Sequence, residues 1–357
     1  MKYRTSLDLR YKKILIIKLR YIGDTLSIVP VIDRINECVP EAKVDIMIRK
    51  GTEEVMAFHP GIRKIWVYDQ KKAKSDFRSS SSYQFDLFRR LRKERFDYIL
   101  DYTHGDRAAI ISFLIHAPIR ISYRCSSPLT KLLMNRFVDY NPLEHHIIEY
   151  QLKALSLFDL PVNNPKMNIH LPEEAERAIN EILAKKGIDS NGCTIVVHPG
   201  ARGPLRKWRP ERFASISDRL VEHFKARIIL IGGPDEQELL RRVEKNMRFR
   251  PVLSTTGLSL LEMAALFRKC HLFLGNDSAP GHIAAAVDCP TVSLFGPTFP
   301  HMWRPYNRKG KVLFKNVPCC GCLQKVCDRP EANCMDLIGT DEVWDCVRKV
   351  LDHNIID

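Results

Sequence analysis

The chain places a carboxylate directly after a glycine, where the pattern changes from a buried strand to a helix. The segment KLRYIGDTLSIVP (18–30) overlaps the end of the apolar run KILIIK and contains Gly23 and Asp24. Gly23 permits a tight turn, so Asp24 falls at or near the start of the helix. Asp24 can cap that helix, as aspartate commonly does, or it can take a proton from a ligand at the strand end. Its position alone fits both functions.

Three loops in the second half of the chain combine cations, carboxylates and small residues. They are HPGARGPLRKWRP (198–210) with Arg202, Arg206 and Lys207, GGPDEQE (232–238) with Asp235 and Glu236, and GNDSAPGHIAAA (275–286) with Asp277 and Ser278. Small residues let a phosphate approach the backbone, and a helix N-terminus attracts the anion. A carboxylate after a strand, as at Glu236, is the usual partner of ribose hydroxyls. Together the three loops predict a nucleotide-diphosphate site.

Histidine and cysteine side chains carry less information in this chain. His198, at a predicted strand end, can orient a phosphate or simply pack, and the sequence leaves both functions open. Five of the eleven cysteines fall in CCGCLQKVCDRPEANC (319–334). Their tight spacing permits a zinc or redox site, but a second C-x2-C pair is missing. We therefore predict structural packing or an adventitious disulfide for this cluster, with no metal site and no catalytic function.

Short apolar runs alternate with helical patterns, and these elements must position the loops. The first series of predicted strands is KILIIK (13–18), KVDIMI (43–48), KIWVYD (64–69) and YILDYT (98–103). The second series is CTIVVHPG (193–200), RIILIGGP (227–234), PVLST (251–255), LFLGND (272–277) and PTVSLFGP (290–297). Strands that are apolar almost throughout are typical of parallel sheets covered on both faces. The sequence therefore predicts an α/β protein with two Rossmann-like, doubly wound domains that face a cleft.

The domain boundary is predicted from composition. The segment 159–178 is rich in proline and asparagine and is the best candidate for a linker. We predict an N-terminal domain at 1–165, a C-terminal domain at 166–340 and a final helix at 341–357. The serine run SSSSYQ (79–84) is interpreted as a short loop.

The formal net charge of +14 indicates an anionic partner, such as a phosphorylated substrate, an anionic membrane or nucleic acid. Basic residues cluster at 71–78 and in RRLRKERF (89–96). The longest apolar stretch, at 108–119, is interrupted and too short to span a bilayer. The first residues do not form a signal-peptide pattern, so we expect a cytoplasmic protein with reduced thiols.

The motifs together resemble the heptosyltransferases of lipopolysaccharide core assembly, glycosyltransferase family 9. The resemblance rests on K-x4-GD after the first strand, HPGA…RKW, GGPDE, GNDSAPGHIAAA and LFGPT, in the family's order over nearly the whole chain. The cysteine-rich segment and the basic 70–95 region are most similar to the enzymes that add the third, branching heptose. The family implies the two-domain GT-B architecture, with the nucleotide-sugar on the C-terminal domain and the acceptor on the N-terminal one. It also implies that the last helix packs back on the N-terminal domain.

The resemblance assigns residues to the site. Asp24 matches the proposed general base, Glu236 the residue that reads the ribose, and Asp277 the acid that holds the transferred heptose. Ser278, Ala279 and His282 match the pyrophosphate end, and Leu258 is placed in the donor site as well. Relatives usually carry lysine two places before the tryptophan of K-x-W, where this chain has Arg206 followed by Lys207, so either cation can contact the diphosphate.

The chemistry of glycosyl transfer adds an expectation about metals. The departing diphosphate needs a metal ion or fixed protein charge, and the chain contains no D-x-D motif of the kind that metal-using glycosyltransferases carry. We expect metal-independent, inverting transfer from ADP-heptose to the lipopolysaccharide core, without a cofactor. The expected acceptor-binding and membrane-facing cations are Lys71, Lys72, Lys74, Arg120 and Arg124.

Two alternatives differ from this interpretation. The first is another nucleotide-sugar transferase, or an epimerase, of the same fold. The second is a non-enzymatic nucleic-acid binder, which the net charge alone suggests. The sequence contains no helix-turn-helix, zinc-finger or RNP-type aromatic motif, so we do not expect nucleic acid to be a partner.

Overall fold

The structure is a computed structural model that describes residues 7–74, 77–139, 141, 144–162, 164–189, 192–322, 326–329 and 333–355. The chain divides into two compact units, Met1–Lys166 and Met167–Asp357. Both units consist of a parallel sheet with helices between successive strands. This arrangement confirms the predicted α/β class with two doubly wound sheets.

A parallel sheet organises the first unit. Its described strands are β1 (Lys13–Lys18), β2 (Lys43–Arg49), β3 (Lys64–Tyr68), β4 (Tyr98–Asp101), β5 (Ile119–Tyr123) and β6 (Arg136–Val138). They lie in the order β3-β2-β1-β4-β5-β6, and every neighbouring pair is parallel. Strands β2 and β3 are added on one side of β1, and strands β4 to β6 are added on its other side. The direction in which the sheet grows therefore changes between β1 and β4. Ligands of open α/β sheets bind at the carboxyl ends of such a pair of strands.

The helices of the first unit follow its strands. They are α1 (Ile22–Leu26), α2 (Val29–Cys38), α3 (Phe77–Lys93), α4 (Asp106–Ile115), α5 (Pro128–Leu133) and α6 (Ile147–Leu152). The helix is interrupted between α1 and α2, because Pro30 has no N–H to continue the hydrogen bonds of α1. The predicted loop at 79–84 is wrong, since these residues lie within α3.

The second unit repeats this topology. Its described strands are β7 (Thr194–His198), β8 (Arg227–Ile231), β9 (Leu253–Thr255), β10 (Leu272–Asn276), β11 (Thr291–Phe295) and β12 (Lys311–Phe314), in the order β12-β11-β10-β7-β8-β9. Its helices are α7 (Glu173–Lys185), α8 (Pro210–Phe224), α9 (Gln237–Asn246), α10 (Leu260–Arg268), α11 (Ala279–Ala286), α12 (Pro300–Trp303) and α13 (Thr340–Ile355). The change of direction lies between β7 and β10, which carry two of the predicted donor loops.

The last helix belongs to the core of the second unit. Val343, Val347, Val350 and Leu351 of α13 are buried in one apolar cluster with the strands and α8. Side chains at this spacing share one face of a helix, so the apolar face of α13 packs within its own unit. The contact of this helix with the first domain, which the resemblance implied, stays a prediction. No helix among the described residues is both long and apolar enough to cross a membrane.

Candidate active site

Asp24 lies at the direction change of the first unit, immediately beyond β1. It is the third residue of α1, and its Oδ2 accepts a long hydrogen bond from the backbone N–H of Tyr21, at 3.4 Å. Its Oδ1 lies 3.6 Å from Nζ of Lys18. Asp24 therefore makes a weak capping contact and an ion pair at the same time, and its side chain remains partly exposed.

Lys18, the lysine of the motif after the first strand, is a buried cation to which the sequence analysis gave no function. Its side chain is 2% exposed, and Nζ donates to the carbonyl of Tyr102 at 3.0 Å. The side-chain amide of Gln151 satisfies both Lys18 and Ser27 when its oxygen and nitrogen are exchanged. The Gln151 oxygen then accepts from Lys18 Nζ at 3.0 Å, and the Gln151 nitrogen donates to the carbonyl of Ser27 at 2.8 Å. Burial lowers the pKa of Lys18, and the Asp24 carboxylate opposes that effect. Lys18 thus fixes Asp24 from inside the fold.

Two further titratable residues, Asp101 at the end of β4 and His104 just beyond it, lie next to β1. Asp101 is buried and accepts hydrogen bonds from the Thr103 N–H at 2.8 Å and the Ser122 hydroxyl at 3.3 Å. Burial raises the pKa of Asp101 to about 6. Burial also lowers the pKa of His104 to about 3, so its ring is neutral at pH 7. Nε2 of His104 is buried without a hydrogen-bond partner among the described residues, which suits a polar ligand or water.

The predicted acceptor cations lie in different environments. Lys71 and Lys72 follow β3, and their backbone N–H groups donate to Asp69 Oδ1 at 2.9 and 3.2 Å while their side chains extend into solvent. Lys74 is exposed in the 3₁₀ turn Lys72–Lys74. Acceptor binding by these lysines stays a prediction.

Arg120 and Arg124 are held by neighbouring groups. Arg120 lies within β5, and its Nε and Nη1 donate to the carbonyls of Leu133 and Ala117 at 2.8 and 2.6 Å. Arg124 follows β5 and pairs with Asp139 at the surface. Because the guanidinium of Arg120 supports local backbone, its assignment to the acceptor is weaker than that of the lysines.

The loop after β7 carries the predicted diphosphate cations of the second unit. Nη1 of Arg206 lies 3.2 Å from Oδ2 of Asp277, while Lys207 is exposed. The side chain of Asn276 ties the loop down, because it accepts from the Trp208 N–H at 3.1 Å and donates to the Pro199 carbonyl at 2.8 Å. The structure therefore joins Arg206, and not Lys207, to the predicted heptose-binding acid.

Glu236 ends a chain of hydrogen bonds in the second unit. Its Oε2 accepts from the Gly233 N–H at 2.8 Å and lies 3.2 Å from Nε2 of His198, whose Nδ1 lies 3.2 Å from the Ser278 hydroxyl. Burial raises the pKa of Glu236, but the interactions with His198, the Gly233 N–H and Lys207 together outweigh it, and the pKa falls to about 2. A Cβ on Gly200 would lie 2.1 Å from Glu236 Oε1, so any side chain there would displace that carboxylate. His198 thus connects two predicted donor residues.

The N-terminus of α11 lies beside this chain. Ser278 is the residue before the helix, and its hydroxyl makes no capping hydrogen bond to the first turn. Ala279, the first residue of the helix, is half-buried, and the first N–H groups of a helix attract an anion. His282 lies within α11, and Leu258 lies partly buried in the loop before α10. Their contacts with a donor remain predictions.

The cysteine cluster lies around a cavity of about 300 Å³ in the second unit. Its lining includes Cys319, Cys320, Cys322, Cys327 and Cys334, all of them free thiols. In the part of the chain that the structure describes, no three His, Cys, Asp or Glu side chains are arranged as a metal centre. The cavity is separate from the chain of hydrogen bonds that contains Glu236.

The family model for glycosyltransferase family 9 (heptosyltransferase) matches residues 84–332. The chain belongs to glycosyltransferase family 9. It is a glycosyltransferase, as the motifs of its second half predicted. It is also 28% identical, over 294 residues, to lipopolysaccharide heptosyltransferase 3 from Escherichia coli, a match that covers 81% of this chain and 85% of that protein.

Solved structures of family 9 proteins share the fold. The glycosyl transferase family 9 protein from Veillonella parvula superposes with a TM-score of 0.88 at 22% identity and covers 98% of this chain and 100% of that one. The E. coli ADP-heptose lps heptosyltransferase II superposes with a TM-score of 0.76 at 18% identity, covering 96% and 99%. These neighbours confirm the predicted GT-B class of architecture.

Proposed function

We propose that this family 9 enzyme transfers L-glycero-D-manno-heptose from ADP-heptose to a heptose of the lipopolysaccharide inner core, as an enzyme adding the third, branching heptose does. The observation that carries the proposal is the donor half-site, where a carboxylate held in its ionised form lies beside an Arg206–Asp277 pair and a helix N-terminus. The likeness to E. coli lipopolysaccharide heptosyltransferase 3 supports the choice of substrate. The reaction would take place at the cytoplasmic face of the inner membrane.

The donor half-site suits a nucleoside diphosphate sugar. Glu236, ionised across the physiological pH range, accepts hydrogen bonds from the ribose hydroxyls. Arg206 and the first N–H groups of α11 stabilise the negative charge that grows on the departing ADP. Asp277, neutralised in part by Arg206, orients the hydroxyls of the heptose. No D-x-D pair is needed in this scheme, because fixed protein charge takes the place of a metal ion.

Asp24 activates the acceptor in this proposal. The acceptor hydroxyl attacks the anomeric carbon as its proton passes to the Asp24 carboxylate, and the bond from that carbon to the ADP oxygen breaks with its electron pair leaving on ADP. A single displacement of this kind inverts the anomeric centre. Lys18 holds the carboxylate at 3.6 Å from behind, so Asp24 keeps one orientation while a ligand arrives.

The test is a panel of nucleotide-sugars incubated with truncated core lipopolysaccharides, followed by mass spectrometry. We expect one heptose to be added from ADP-heptose only, with inversion and at a rate that excess chelator leaves unchanged. Addition of a different sugar would replace the donor assignment. An isomerised nucleotide-sugar with no change in the acceptor would indicate an epimerase. Complete loss of transfer on chelation, restored by magnesium or manganese, would overturn the metal-free scheme.

A further inference from the structure

Helices α3, α4 and α5 form a layer on one face of the first sheet. Leu87 and Leu91 of α3 and Ile111 and Ile115 of α4 point into the core beneath them. Within the layer, α5 is joined to α4 through the hydroxyl of Thr130, which donates to Asp106 Oδ1 at 3.1 Å. The other side of this layer faces solvent, and we call it the outer helical face.

Large apolar side chains are exposed on the outer helical face. They are Phe85 of α3, Ile110 and Phe113 of α4, and Leu129 and Leu132 of α5. The exposed fraction is 43% for Phe113 and 78% for Leu132. Exposed apolar residues that stand singly need no explanation, but several on adjoining helices mark a surface that binds something apolar.

Cations surround these apolar side chains. Arg107 is three residues from Ile110 and so lies on the same side of α4, and Lys131 precedes Leu132 in α5. The guanidinium of Arg120 lies 5.7 Å from the centre of the Phe113 ring. Residues 77–136 contain eleven lysines and arginines against five acids. Apolar side chains with cations at their edges complement the surface of an anionic bilayer, which offers phosphates above and acyl chains below.

We propose that the outer helical face docks the enzyme on an anionic lipid bilayer, with Phe113 and Leu132 entering the boundary between headgroups and acyl chains. This proposal deepens the membrane-side location given above by naming the surface that makes it. Nucleic acid would use the cations but would leave the aliphatic side chains of α4 and α5 in water. A bilayer accounts for both kinds of residue on one face.

The experiment is flotation of the full-length protein with vesicles of phosphatidylcholine alone or with phosphatidylglycerol added, without donor or acceptor. We expect the parent to float only with the anionic vesicles and to lose binding in high salt. The double variant Phe113→Ser/Leu132→Ser should bind about tenfold less, because exposed apolar groups gain most from leaving water. The variant Arg107→Gln/Lys131→Gln should lose a similar factor.

A matched control separates this surface from general stickiness. Phe249→Ser/Leu337→Ser removes an aromatic and a leucine of the second unit that are 39% and 45% exposed, and it should float like the parent. The proposal would be overturned if this control lost as much vesicle binding as Phe113→Ser/Leu132→Ser. It would also be overturned if Phe113→Ser/Leu132→Ser bound vesicles as well as the parent, or if the parent never floated. Heptose transfer to a detergent-dispersed acceptor is measured separately, so a failed docking test leaves the proposed reaction intact, and the reverse also holds.

Discussion

Asp24 is held by two different contacts, and only one of them is local. The hydrogen bond from Tyr21 N–H lies within α1, whereas the Lys18 ammonium reaches Asp24 from β1. Asparagine can keep the local contact, since its Oδ1 can accept the same hydrogen bond from the Tyr21 N–H. Asparagine cannot accept a proton at neutral pH. The two functions of this residue can therefore be separated by a single substitution.

We predict that Asp24→Asn keeps the fold and ADP affinity but loses turnover by at least about a hundredfold, the usual size of a general-base effect. The free energy of unfolding should fall by up to about 3 kcal/mol, because the buried Lys18 ammonium loses its carboxylate partner but keeps the carbonyl of Tyr102. Turnover with ADP-heptose, ADP affinity by calorimetry and urea denaturation check these three outcomes. A folded Asn variant with parental turnover would remove Asp24 from the mechanism.

Glu236 should make the stability of the protein depend on pH. Its pKa is lowered from 4.5 to about 2 in the folded chain, so its contribution is fully present above pH 4.5 and is lost as the pH falls toward 2. The linkage relation gives a loss of about 2 kcal/mol between pH 6 and pH 3. We predict that the stability difference between the parent and Glu236→Gln shrinks by that amount over this range.

Urea denaturation of both proteins at several pH values measures this difference. The comparison between two variants is essential, because the hydrogen bond from Arg63 lowers the pKa of Glu94 to about 2 as well. Glu94 is present in both proteins, so its contribution cancels. A stability difference that does not change between pH 6 and pH 3 would contradict the ionised Glu236 of the proposed donor site.

Sequence patterns identified the residues of the donor half-site in the second unit more completely than the residues around Asp24 in the first unit. Glu236 and Asp277 stand in loops whose glycines and small residues predict a ligand on their own. Lys18 stands in the quoted motif but was given no function. Asp101 and His104 were missed because they gain meaning only when β1 and β4 lie side by side. Nothing local in the sequence reports that pairing, which depends on the order of strands in the sheet.

At the scale of elements, most of the strands that the sequence predicted are almost fully buried, whereas the predicted β9 is half-buried throughout and β3 is only partly buried. The missed strands are β5, β6 and β12, and each of them has exposed or half-exposed positions. Their apolar runs are short, so periodicity gives a weak signal. The serine run in α3 was mistaken for a loop because serine is a poor helix former, whereas the packing of Leu87 and Leu91 on the sheet decides the helix.

Two adjoining loops, after β7 and β8, must approach closely for Glu236 to reach its position. We predict that Gly200→Ala weakens ADP binding by about tenfold or more, because the new methyl group would lie 2.1 Å from Glu236 Oε1 and displace it. Gly233→Ala is the matched control in the same site. Its φ is −73° and the nearest atom to its Cβ is 3.6 Å away, so it should bind ADP like the parent.

Calorimetric titration with ADP compares the two alanine variants directly. A Gly200→Ala protein with parental affinity would show that Glu236 does not bind the nucleotide. Equal weakening in both variants would mean that any added methyl group disturbs the loops. The clash acts on the carboxylate and not on the sheet. The thermal midpoint of Gly200→Ala should therefore stay close to that of the parent, although its affinity for ADP falls.

At the scale of the whole molecule, the positive charge is distributed unevenly. The first unit, Met1–Lys166, contains 29 lysines and arginines against 19 acids, so it carries +10 of the net charge of +14. The predicted acceptor is anionic, and the lysines after β3 are part of this excess. The sequence predicted an anionic partner from the total alone, and most of the positive charge lies in the first unit.

We predict that replacing Lys71, Lys72 and Lys74 with glutamine raises the apparent KM for the acceptor on the order of tenfold. The KM for ADP-heptose should not change, because the donor loops lie in the other unit. Steady-state kinetics with each substrate varied in turn measures both constants. Raising the salt concentration should imitate the triple variant in the parent and do less in the variant itself, since screening acts on charges that the variant no longer has.

The same change of charge elsewhere provides the control. Lys185, Lys186 and Lys245 are exposed on α7, the turn after it and α9 of the second unit, and their replacement with glutamine lowers the net charge equally. If long-range attraction by the total charge brings the acceptor, both triple variants will raise its KM to the same extent. If the first unit binds the acceptor through the lysines after β3, only the Lys71, Lys72 and Lys74 variant will, and its salt dependence alone will be reduced.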